Sequence, residues 1–503
     1  MKDLILGIDI GTSSVKACVI DTTGGIVAQA SHKHDLISRR LGWAEESASE
    51  WWQNTIRAIH DCLSHPEVQP QNIRSIGTTG MVPALVLLDS HGQVLRATIQ
   101  QNDARAVDEI TEFESAIGSE AFFQITGASL SQQSIGPKLV WLRRNEPDIW
   151  GKVSTVMGSY DYIGFCLTGE LGIESNWALE SGLYDINAGH WSQDLLDAFG
   201  IDRRILPAIK NPTQITGTVT SDAAAASGLL EGTPVAAGSA DHVAAALAAG
   251  INKQGDLLVK FGSAGDILYC ADKLVLEPRL YIDYHDIPGK FLLNGCMATS
   301  GSLLKWYVEQ FCQADHEPAQ REGAGSIYEY LDGKASQIPP GSQGVTVLPY
   351  FLGEKTPILD AHARGVFFGL TLLHNRYHLY RGVLEAVAFG FKHHVQVIIA
   401  HGLKINRITA SEGGARSSLW RQITADVLGQ PVSYIKNNPG ASLAAAFVAG
   451  IGVGAFDGWG DIERFIEEGG ITYPNPEANQ TYEKRFEVYR TLYENTKELF
   501  KRI

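Results

Sequence analysis

The strongest constraint on the fold is a strand-like pattern that occurs once in each half of the chain. The segment LILGIDIGTSSVKACVID (4–21) contains two runs rich in Ile and Val, joined by a turn of Gly, Thr and Ser. The segment GDLLVKFGSAGDILYC (255–270) repeats this order of strand, small-residue turn and strand. We therefore predict two β-hairpins in two halves of similar design.

The length of the chain predicts two domains, because 503 residues with 44% hydrophobic content exceed what one hydrophobic core normally serves. We place the boundary in ALAAGINKQGD (246–256), where an Ala-rich helix ends at Gly250 and a polar turn precedes the next strand. The domains are then 1–250 and 251–503. Well-mixed helix and strand formers predict an α/β fold. Since no low-complexity linker separates the halves, we expect them to form a cleft.

Local patterns predict the first elements of the N-terminal half. We expect a third strand in GGIVAQAS (24–31), and two strands joined by a loop in IRSIGTTGMVPALVLLD (73–89). Between them, SASEWWQNTIRAIHDCL (47–63) has the apolar spacing of an amphipathic helix. Its Ser47 and Glu50 have the spacing of a capping box, which predicts the helix start.

Charge and cysteine content restrict the partners and the compartment. The formal net charge of −15 argues against nucleic acid, whose binding requires clustered Lys and Arg. The six cysteines lack CxxC spacing, which indicates a reducing compartment and buried small side chains. We find neither a signal-like start nor an apolar stretch long enough to cross a bilayer, so we predict a cytoplasmic protein without a membrane partner. The sequence does not decide the oligomeric state, and a homodimer is one alternative.

Asp9 is an acid in an apolar run, placed just before the turn Gly11, Thr12 and Ser13. Backbone N–H and hydroxyl groups in such a turn can bind phosphate. A carboxylate beside a triphosphate is repelled unless a divalent cation lies between them, and Mg²⁺ prefers such oxygen ligands. This arrangement predicts a metal-nucleotide site. The alternative is an ordinary turn, with Lys16 as a solvated strand residue.

Two more clusters of small residues could serve the same nucleotide. The turn that begins Gly262-Ser263 could face the first turn across the cleft. Gly413 and Gly414 precede a helix whose first turn we expect to contain Ser417, which would offer free N–H donors and room for a flat ring. The alternatives are a plain hairpin and an ordinary strand-to-helix turn.

In their order along the chain, ten segments resemble the FGGY carbohydrate kinases, nearest to the xylulokinase-like members of that family. They are GIDIGTSSVKACVID (7–21), GWAEESASEWW (42–52), NDARA (102–106), PKLVWLRRNEP (137–147), DYIGFCLTGE (161–170), GSADH (238–242), KFGSAG (260–265), PYFLGEKTP (349–357), GVFFGLTLLHNRYHLYRGVLEA (365–386) and GGARSSLWRQITADVLGQPV (413–432). The resemblance covers nearly the whole chain.

The resemblance implies two actin-like, ribonuclease-H-like domains with ATP in the cleft and the sugar bound mainly by the N-terminal domain. Asp241 falls on the family's general base and Asp9 on its metal-side carboxylate, with Mg²⁺ as the metal. Nucleotide contacts are expected at Gly11, Thr12, Ser13, Lys16, Gly262, Ser263, Gly301, Gly413, Gly414 and Ser417. The alternative for Asp241 is an N-cap of the helix HVAAALAAG (242–250).

Three positions that would face the substrate depart from the xylulokinase-like pattern. Met81 is followed by Val82 where those members carry Met-His, Gln101 stands where they carry Trp, and His242 stands where Asn or Gln is common. We expect Met81, Gln101, Asp103, Asp241 and His242 to bind the substrate. For His242 the alternative is an ordinary histidine at a helix start.

The resemblance therefore implies an ATP-dependent kinase that phosphorylates a hydroxyl of a small sugar, with a pentulose such as xylulose as the first expectation. The alternatives are kinases of the same family that act on ribulose or another ketose, on a polyol such as glycerol or erythritol, or on an aldonic acid such as gluconate. A remote alternative is a non-catalytic, nucleotide-switched binding protein of the actin type.

Overall fold

Both predicted hairpins form, and each belongs to a mixed seven-stranded sheet in the computed structural model, which describes residues 3–436 and 439–503. The strands are β1 (Leu4–Ile10), β2 (Ser14–Asp21), β3 (Ile26–Lys33), β4 (Glu45–Glu46), β5 (Ile73–Gly80), β6 (Val86–Leu88), β7 (Thr98–Ile99), β8 (Thr155–Met157), β9 (Ile173–Glu174), β10 (Tyr184–Asp185), β11 (His190–Trp191), β12 (Ile209–Lys210), β13 (Ile215–Thr218), β14 (Pro234–Ala236), β15 (Ser239–Ala240), β16 (Asp256–Phe261), β17 (Gly265–Ala271), β18 (Tyr281–Tyr284), β19 (Phe291–Met297), β20 (Thr346–Leu348), β21 (Val366–Phe368), β22 (Arg407–Ser411), β23 (Val432–Lys436) and β24 (Glu467–Thr472).

Helices cover the sheets and build the segments between the strands. They are α1 (Ala48–Leu63), α2 (Val107–Ile117), α3 (Ser119–Thr126), α4 (Ile135–Asn145), α5 (Pro147–Trp150), α6 (Ser159–Thr168), α7 (Ser175–Glu180), α8 (Gln193–Phe199), α9 (Ser221–Ser227), α10 (Asp241–Ala248), α11 (Gly301–Phe311), α12 (His316–Arg321), α13 (Ile327–Ala335), α14 (Arg376–Ala400), α15 (Ser418–Leu428), α16 (Ala441–Gly452) and α17 (Pro476–Phe500).

The two sheets repeat one strand order. The first contains the order β3-β2-β1-β5-β14, and the second contains β19-β17-β16-β22-β23. In each, three antiparallel strands are followed by two that run parallel to the first strand of the hairpin. This shared order confirms the prediction of two ribonuclease-H-like halves.

Helix α16 joins the halves, because it follows the strands β16 to β23 in sequence yet packs on the first sheet. The sheet accepts it at two glycines: a Cβ on Gly7 would lie 1.9 Å from the backbone oxygen of Ser442, and a Cβ on Gly77 would lie 1.9 Å from that of Ala445. The first ten residues of α16 are buried and mostly small. Small side chains on the helix and glycines on the strands thus permit direct backbone contact.

Helix α14 is the core helix of the C-terminal half. The expectation that no apolar stretch is long enough to cross a membrane is wrong for this helix, which is long and apolar enough, but 78% of its apolar window is buried inside the fold. Its apolar side chains pack on the second sheet and on the helices around it. Its composition is therefore explained by the protein core.

The local predictions for the N-terminal half are confirmed. Helix α1 begins as the capping pattern predicts, with the Ser47 hydroxyl accepting a hydrogen bond from the backbone N–H of Glu50 at 3.3 Å. Strand β3 pairs with β2, and β5 and β6 form within 73–89. The boundary between 250 and 251 stays a prediction.

The close approach of α16 predicts that Gly77→Ala destabilises the protein. The added methyl group would collide with the Ala445 carbonyl, and overpacking of this kind costs about 1–3 kcal/mol. We expect a lower melting temperature by calorimetry. Gly164→Ala in α6 is the matched control, because no heavy atom lies within 4 Å of its Cβ and alanine favours a helix. Equal melting temperatures for the two variants would contradict the packing argument.

Candidate active site

Asp9 and Asp241 lie on either side of the end of β5. The parallel strands β1 and β15 both pair with β5, and the register sets Asp9 opposite Thr79 and Ala240 opposite Gly80. Asp241 follows Ala240 directly as the first residue of α10. Because parallel strands end at the same sheet edge, the register alone brings the two carboxylates to one place.

Asp9 is a buried acid with an unsatisfied oxygen. Its Oδ1 has no hydrogen-bond partner among the described residues, and its Oδ2 lies 3.9 Å from the Lys16 ammonium. Burial, followed by the nearby charge of Asp241, raises the pKa of Asp9 to about 7. A buried, unpaired carboxylate oxygen beside a second carboxylate is the donor set that a hard divalent cation requires, so the residues present fit Mg²⁺.

The first turn is exposed toward the cleft. Its loop is closed by a hydrogen bond from the Gly11 N–H to the Ser14 carbonyl oxygen at 3.1 Å. Thr12 and Ser13 are exposed at its tip, where their hydroxyl and N–H groups can meet a ligand. Lys16 projects from β2, and half of its side chain is exposed.

The second turn is held by the start of α11. The N–H of Gly301 donates to the Gly262 carbonyl oxygen at 2.8 Å, and the Ser302 N–H and hydroxyl both donate to the Ser263 carbonyl oxygen. A Cβ on Gly301 would lie 2.7 Å from the same Gly262 oxygen, so glycine is required there for close approach. The carbonyl groups of the turn are therefore directed toward the helix.

A cavity of about 340 Å³ lies between the halves and contains Asp241. The N-terminal half contributes Thr12, Gln101 and His242 among others, and the C-terminal half contributes Ala264 at the second turn. This volume lies within the range of small-molecule sites, about 300–1,000 Å³. One small cavity thus touches the tips of both turns and the predicted base.

His242 links the two halves inside this cavity. Its Nδ1 lies 3.4 Å from Oδ1 of Asp241, and its Nε2 lies 3.1 Å from Oδ2 of Asp283 and 3.9 Å from Oε1 of Glu180. Burial lowers the pKa of His242, but the interactions with Asp283, Asp241 and Glu180 together outweigh it and hold the pKa well above its usual value. Asp283 lies on β18 of the C-terminal half, so the C-terminal sheet also shapes this pocket.

A second cavity, of about 1190 Å³, is lined by Gly301, Gly413, Gly414 and Ser417. Gly413 and Gly414 lie in a 3₁₀ helix, and Ser417 is the N-cap of α15, accepting from the Trp420 N–H at 3.0 Å. A Cβ on Gly414 would lie 2.7 Å from the Trp420 ring, so there is no room for a side chain here. The backbone of Gly414 therefore forms this part of the cavity wall. The cavity is open and partly apolar, which suits a nucleoside.

The comparisons with known proteins agree with this geometry. Residues 4–248 match the N-terminal domain of the FGGY family of carbohydrate kinases, and residues 270–453 match its C-terminal domain. The chain belongs to this family. It is a carbohydrate kinase, an enzyme that transfers a phosphoryl group to an alcohol, and the prediction of family and enzyme class is confirmed.

Similar proteins are known from sequence and from solved structures. The curated xylulose kinase of Bacillus subtilis (strain 168) is 30% identical over 498 residues, which are 98% of this chain and 97% of that protein. The solved structure of xylulose kinase from Rhodospirillum rubrum is 41% identical, has a TM-score of 0.92 and is matched over 99% of both chains. Gluconate kinase from Lactobacillus acidophilus is 25% identical, with a TM-score of 0.91 over 99% of this chain and 98% of that one.

Some residues predicted from the sequence lie away from the cavities. Met81 is buried in the core, and its neighbour Val82 lines the small cavity instead. Asp103 is fully buried, where it accepts a hydrogen bond from the Ala44 N–H at 2.6 Å and forms an ion pair with Arg105. The Asp103 carboxylate is therefore already bound by the Ala44 N–H and by Arg105.

One alternative and two further expectations need correction. Asp241 is the first residue of α10 and caps nothing with its side chain, since Ala240 is the N-cap. Ser417 is the N-cap of α15, one residue before the helix begins. Of the cysteines expected to be buried, Cys166 is half-buried, and Cys296 is half-buried and lines the small cavity.

Sequence reasoning missed residues that only the fold brings to the site. Glu180 and Asp283 are far apart in sequence and meet at His242. Lys138 is buried, and its ammonium donates to the Gln100 carbonyl oxygen at 2.8 Å and to that of Gln101 at 3.3 Å, which fixes the loop that carries Gln101. The signal that could have found Lys138 is its position directly before the apolar run Leu139, Val140 and Trp141.

The environment of Asp9 predicts that Asp9→Asn damages metal use. The change keeps the side-chain size and one acceptor oxygen but removes the charge that would hold Mg²⁺. We expect a lower kcat and a higher Mg²⁺ concentration for half-maximal rate, with sugar binding in the absence of nucleotide unchanged. A Mg²⁺ titration of a coupled kinase assay measures the effect.

Stability at pH 8, without metal or nucleotide, is the control for Asp9→Asn. Because the folded pKa of Asp9 is raised from 3.8 to about 7, the acid destabilises the fold as pH rises through this window, and the penalty is complete above it. The Asn variant should therefore melt at or above the temperature of the wild type. A variant that melts well below it, with an unchanged Mg²⁺ requirement, would make Asp9 a structural acid.

Proposed function

We propose that this enzyme transfers the γ-phosphoryl group of ATP, with Mg²⁺, to a hydroxyl of xylulose or a closely related neutral ketose. One observation carries the proposal: Asp241 shares a cavity of about 340 Å³ with Thr12 and Ala264, which belong to the two turns. A sugar hydroxyl beside Asp241 would then face a phosphoryl group held between the turns.

The residues divide the chemical work in a simple way. Asp241 would accept the proton of the sugar hydroxyl while the oxygen attacks the γ-phosphorus and the bond to the β-phosphate oxygen breaks. Gly11, Thr12 and Ser13 would bind phosphoryl oxygens, and the larger cavity would hold the adenosine. When bound at Asp9, Mg²⁺ would neutralise part of the triphosphate charge. Closure of the two halves would exclude water as a competing acceptor.

The acids of the small cavity suit a substrate that is rich in hydroxyl groups. Asp241, Glu180 and Asp283 lie around His242, where their oxygens can form hydrogen bonds with sugar hydroxyls. The similarity to several xylulose kinases points the same way, and it outweighs the similarity to a gluconate kinase.

Gln101 and His242 are the proposed substrate-binding residues that line the cavity with Asp241. Gln101 is positioned by an amide hydrogen bond from Gln133 at 3.2 Å. Met81 and Asp103 would act only through the loops that they hold in place. The cytoplasmic location, the homodimer and the lack of nucleic-acid and membrane partners stay predictions.

A panel of acceptors tests the proposed function. ADP release should depend on an added sugar, and the kcat/KM should be highest for xylulose or another neutral ketose among ketoses, polyols and aldonic acids. Gluconate should be a poorer acceptor than xylulose, because several similar proteins are xylulose kinases. Preferred use of gluconate, or ADP release that no acceptor stimulates, would contradict the proposal.

The base role predicts that Asp241→Asn removes phosphoryl transfer without loss of nucleotide binding. Positioned bases contribute roughly 10²–10⁴-fold to rate, and the turns and the larger cavity stay intact in this variant. We expect a fall in kcat of that size and an unchanged affinity for a non-hydrolysable ATP analogue. Asp222→Asn, an exposed acid in the first turn of α9, is the matched control and should keep full activity. Retention of more than about a tenth of wild-type kcat would exclude Asp241 as the base.

A further inference from the structure

Lys260 is a buried lysine at the second turn that the roles above leave unused. It is the last residue but one of β16 and stands two positions before Gly262. Only 16% of its side chain is exposed, and it lines the small cavity together with Thr12 and Asp241. A cation is thus present where the two turns and the predicted base meet.

The two hairpins carry the same pair of charges in reversed order. In the first, Asp9 stands two positions before Gly11 and pairs across the hairpin with Lys16. In the second, Lys260 stands two positions before Gly262 and pairs across the hairpin with Asp266, at 3.1 Å. Since the two sheets share one strand order, Lys260 occupies the position in the C-terminal half that Asp9 occupies in the N-terminal half.

A structural ion pair alone explains this lysine poorly. Burial of two charges costs several kcal/mol per ion, and replacement of such a pair by apolar residues is often neutral or stabilising. Asp266 is the one carboxylate within 4.0 Å of Lys260 among the described residues, so N–H donors of the ammonium remain for another partner. Burial lowers the pKa of Lys260, but Asp266 and the other acids of the cleft hold it above its usual value, so the side chain is charged.

The acids near Lys260 indicate which kind of group its remaining N–H donors can bind. Lys260 lines the small cavity together with Asp241, and its charge acts on both Asp9 and Asp241, so the ammonium lies near both acids. A triphosphate placed among these acids needs positive charge on each side of its transferred group. On the N-terminal side Asp9 and Lys16 can supply it through a metal and an ammonium, and on the C-terminal side Lys260 can supply it directly.

We propose that Lys260 is a catalytic residue that binds the γ-phosphoryl group of the nucleotide from the C-terminal side and stabilises its charge during transfer. Its N–H groups would donate to the phosphoryl oxygens, and Lys260 would form no covalent bond and lose no proton. Asp266 is its positioning residue, because the ion pair fixes the ammonium at the cavity wall. This inference rests on the proposed function only in taking ATP as the phosphoryl donor.

The test compares nucleotides with and without a γ-phosphate. For Lys260→Met, calorimetry with Mg²⁺ and no sugar should show weakened binding of a non-hydrolysable ATP analogue and unchanged binding of ADP. The kcat with the best sugar should fall by about 10²-fold, which is typical for the loss of one donor to a transition-state oxyanion. Lys260→Arg should recover part of both losses, because it keeps the charge.

Two more variants separate this role from a structural one. The single variant Lys260→Met leaves Asp266 without its ion-pair partner. Adding Asp266→Leu removes this acid, so the double variant should recover the melting temperature lost in Lys260→Met, but neither the preference for the ATP analogue over ADP nor kcat. Lys392→Met is the matched control, because Lys392 is a buried lysine paired with Glu483 at 2.6 Å on helices away from the cleft. It should lower stability and leave the ratio of the two nucleotide affinities unchanged.

The outcomes separate the two proposals. The catalytic role of Lys260 would be overturned if Lys260→Met left the ratio of the affinities for the ATP analogue and ADP unchanged. Recovery of kcat in the double variant would overturn it as well. A wild type that prefers the ATP analogue through Lys260 but phosphorylates none of the sugars would support this role and overturn the proposed acceptor. A wild type that binds neither nucleotide would overturn both.

Discussion

The registers of β1, β5 and β15 are the constraint on which the site depends. Asp9 is paired across to Thr79, and Ala240 to Gly80, so the two acids of the cleft flank the end of one strand. A shift of one residue in the β1 register would turn Asp9 to the other face of the sheet, and a shift in the β15 register would displace Asp241. The contact of α16 with Gly7 and Gly77 fixes this part of the sheet.

The same geometry brings several acids together. Burial, followed by the charge of Asp241, raises the pKa of Asp9, and burial raises the pKa of Glu180, which lies with Asp283 beside His242. His242 offsets the charge there, and Lys260 does so at the second turn. What remains without a partner among the described residues is the Asp9 oxygen, and Mg²⁺ bound there would supply the missing positive charge.

The sequence allowed the hairpins, the start of α1 and the small-residue lining of the larger cavity to be predicted, because strand, turn and cap signals are local. The docking of α16 on the first sheet could not be predicted, since it depends on contacts between distant segments. Asp103 was assigned to the substrate from a motif, and only the structure gives Ala44 and Arg105 as its partners. Asp283 was missed because an edge strand of the other half brings it to His242.

The most direct test of this account is a crystal structure with a non-hydrolysable ATP analogue, Mn²⁺ in place of Mg²⁺, and xylulose, with the metal located by its anomalous scattering. We expect the metal at Asp9, directly or through water, the γ-phosphate between the two turns, and a xylulose hydroxyl within hydrogen-bond distance of Asp241. A metal held by Glu180, His242 and Asp283 instead, or a sugar bound away from Asp241, would contradict it.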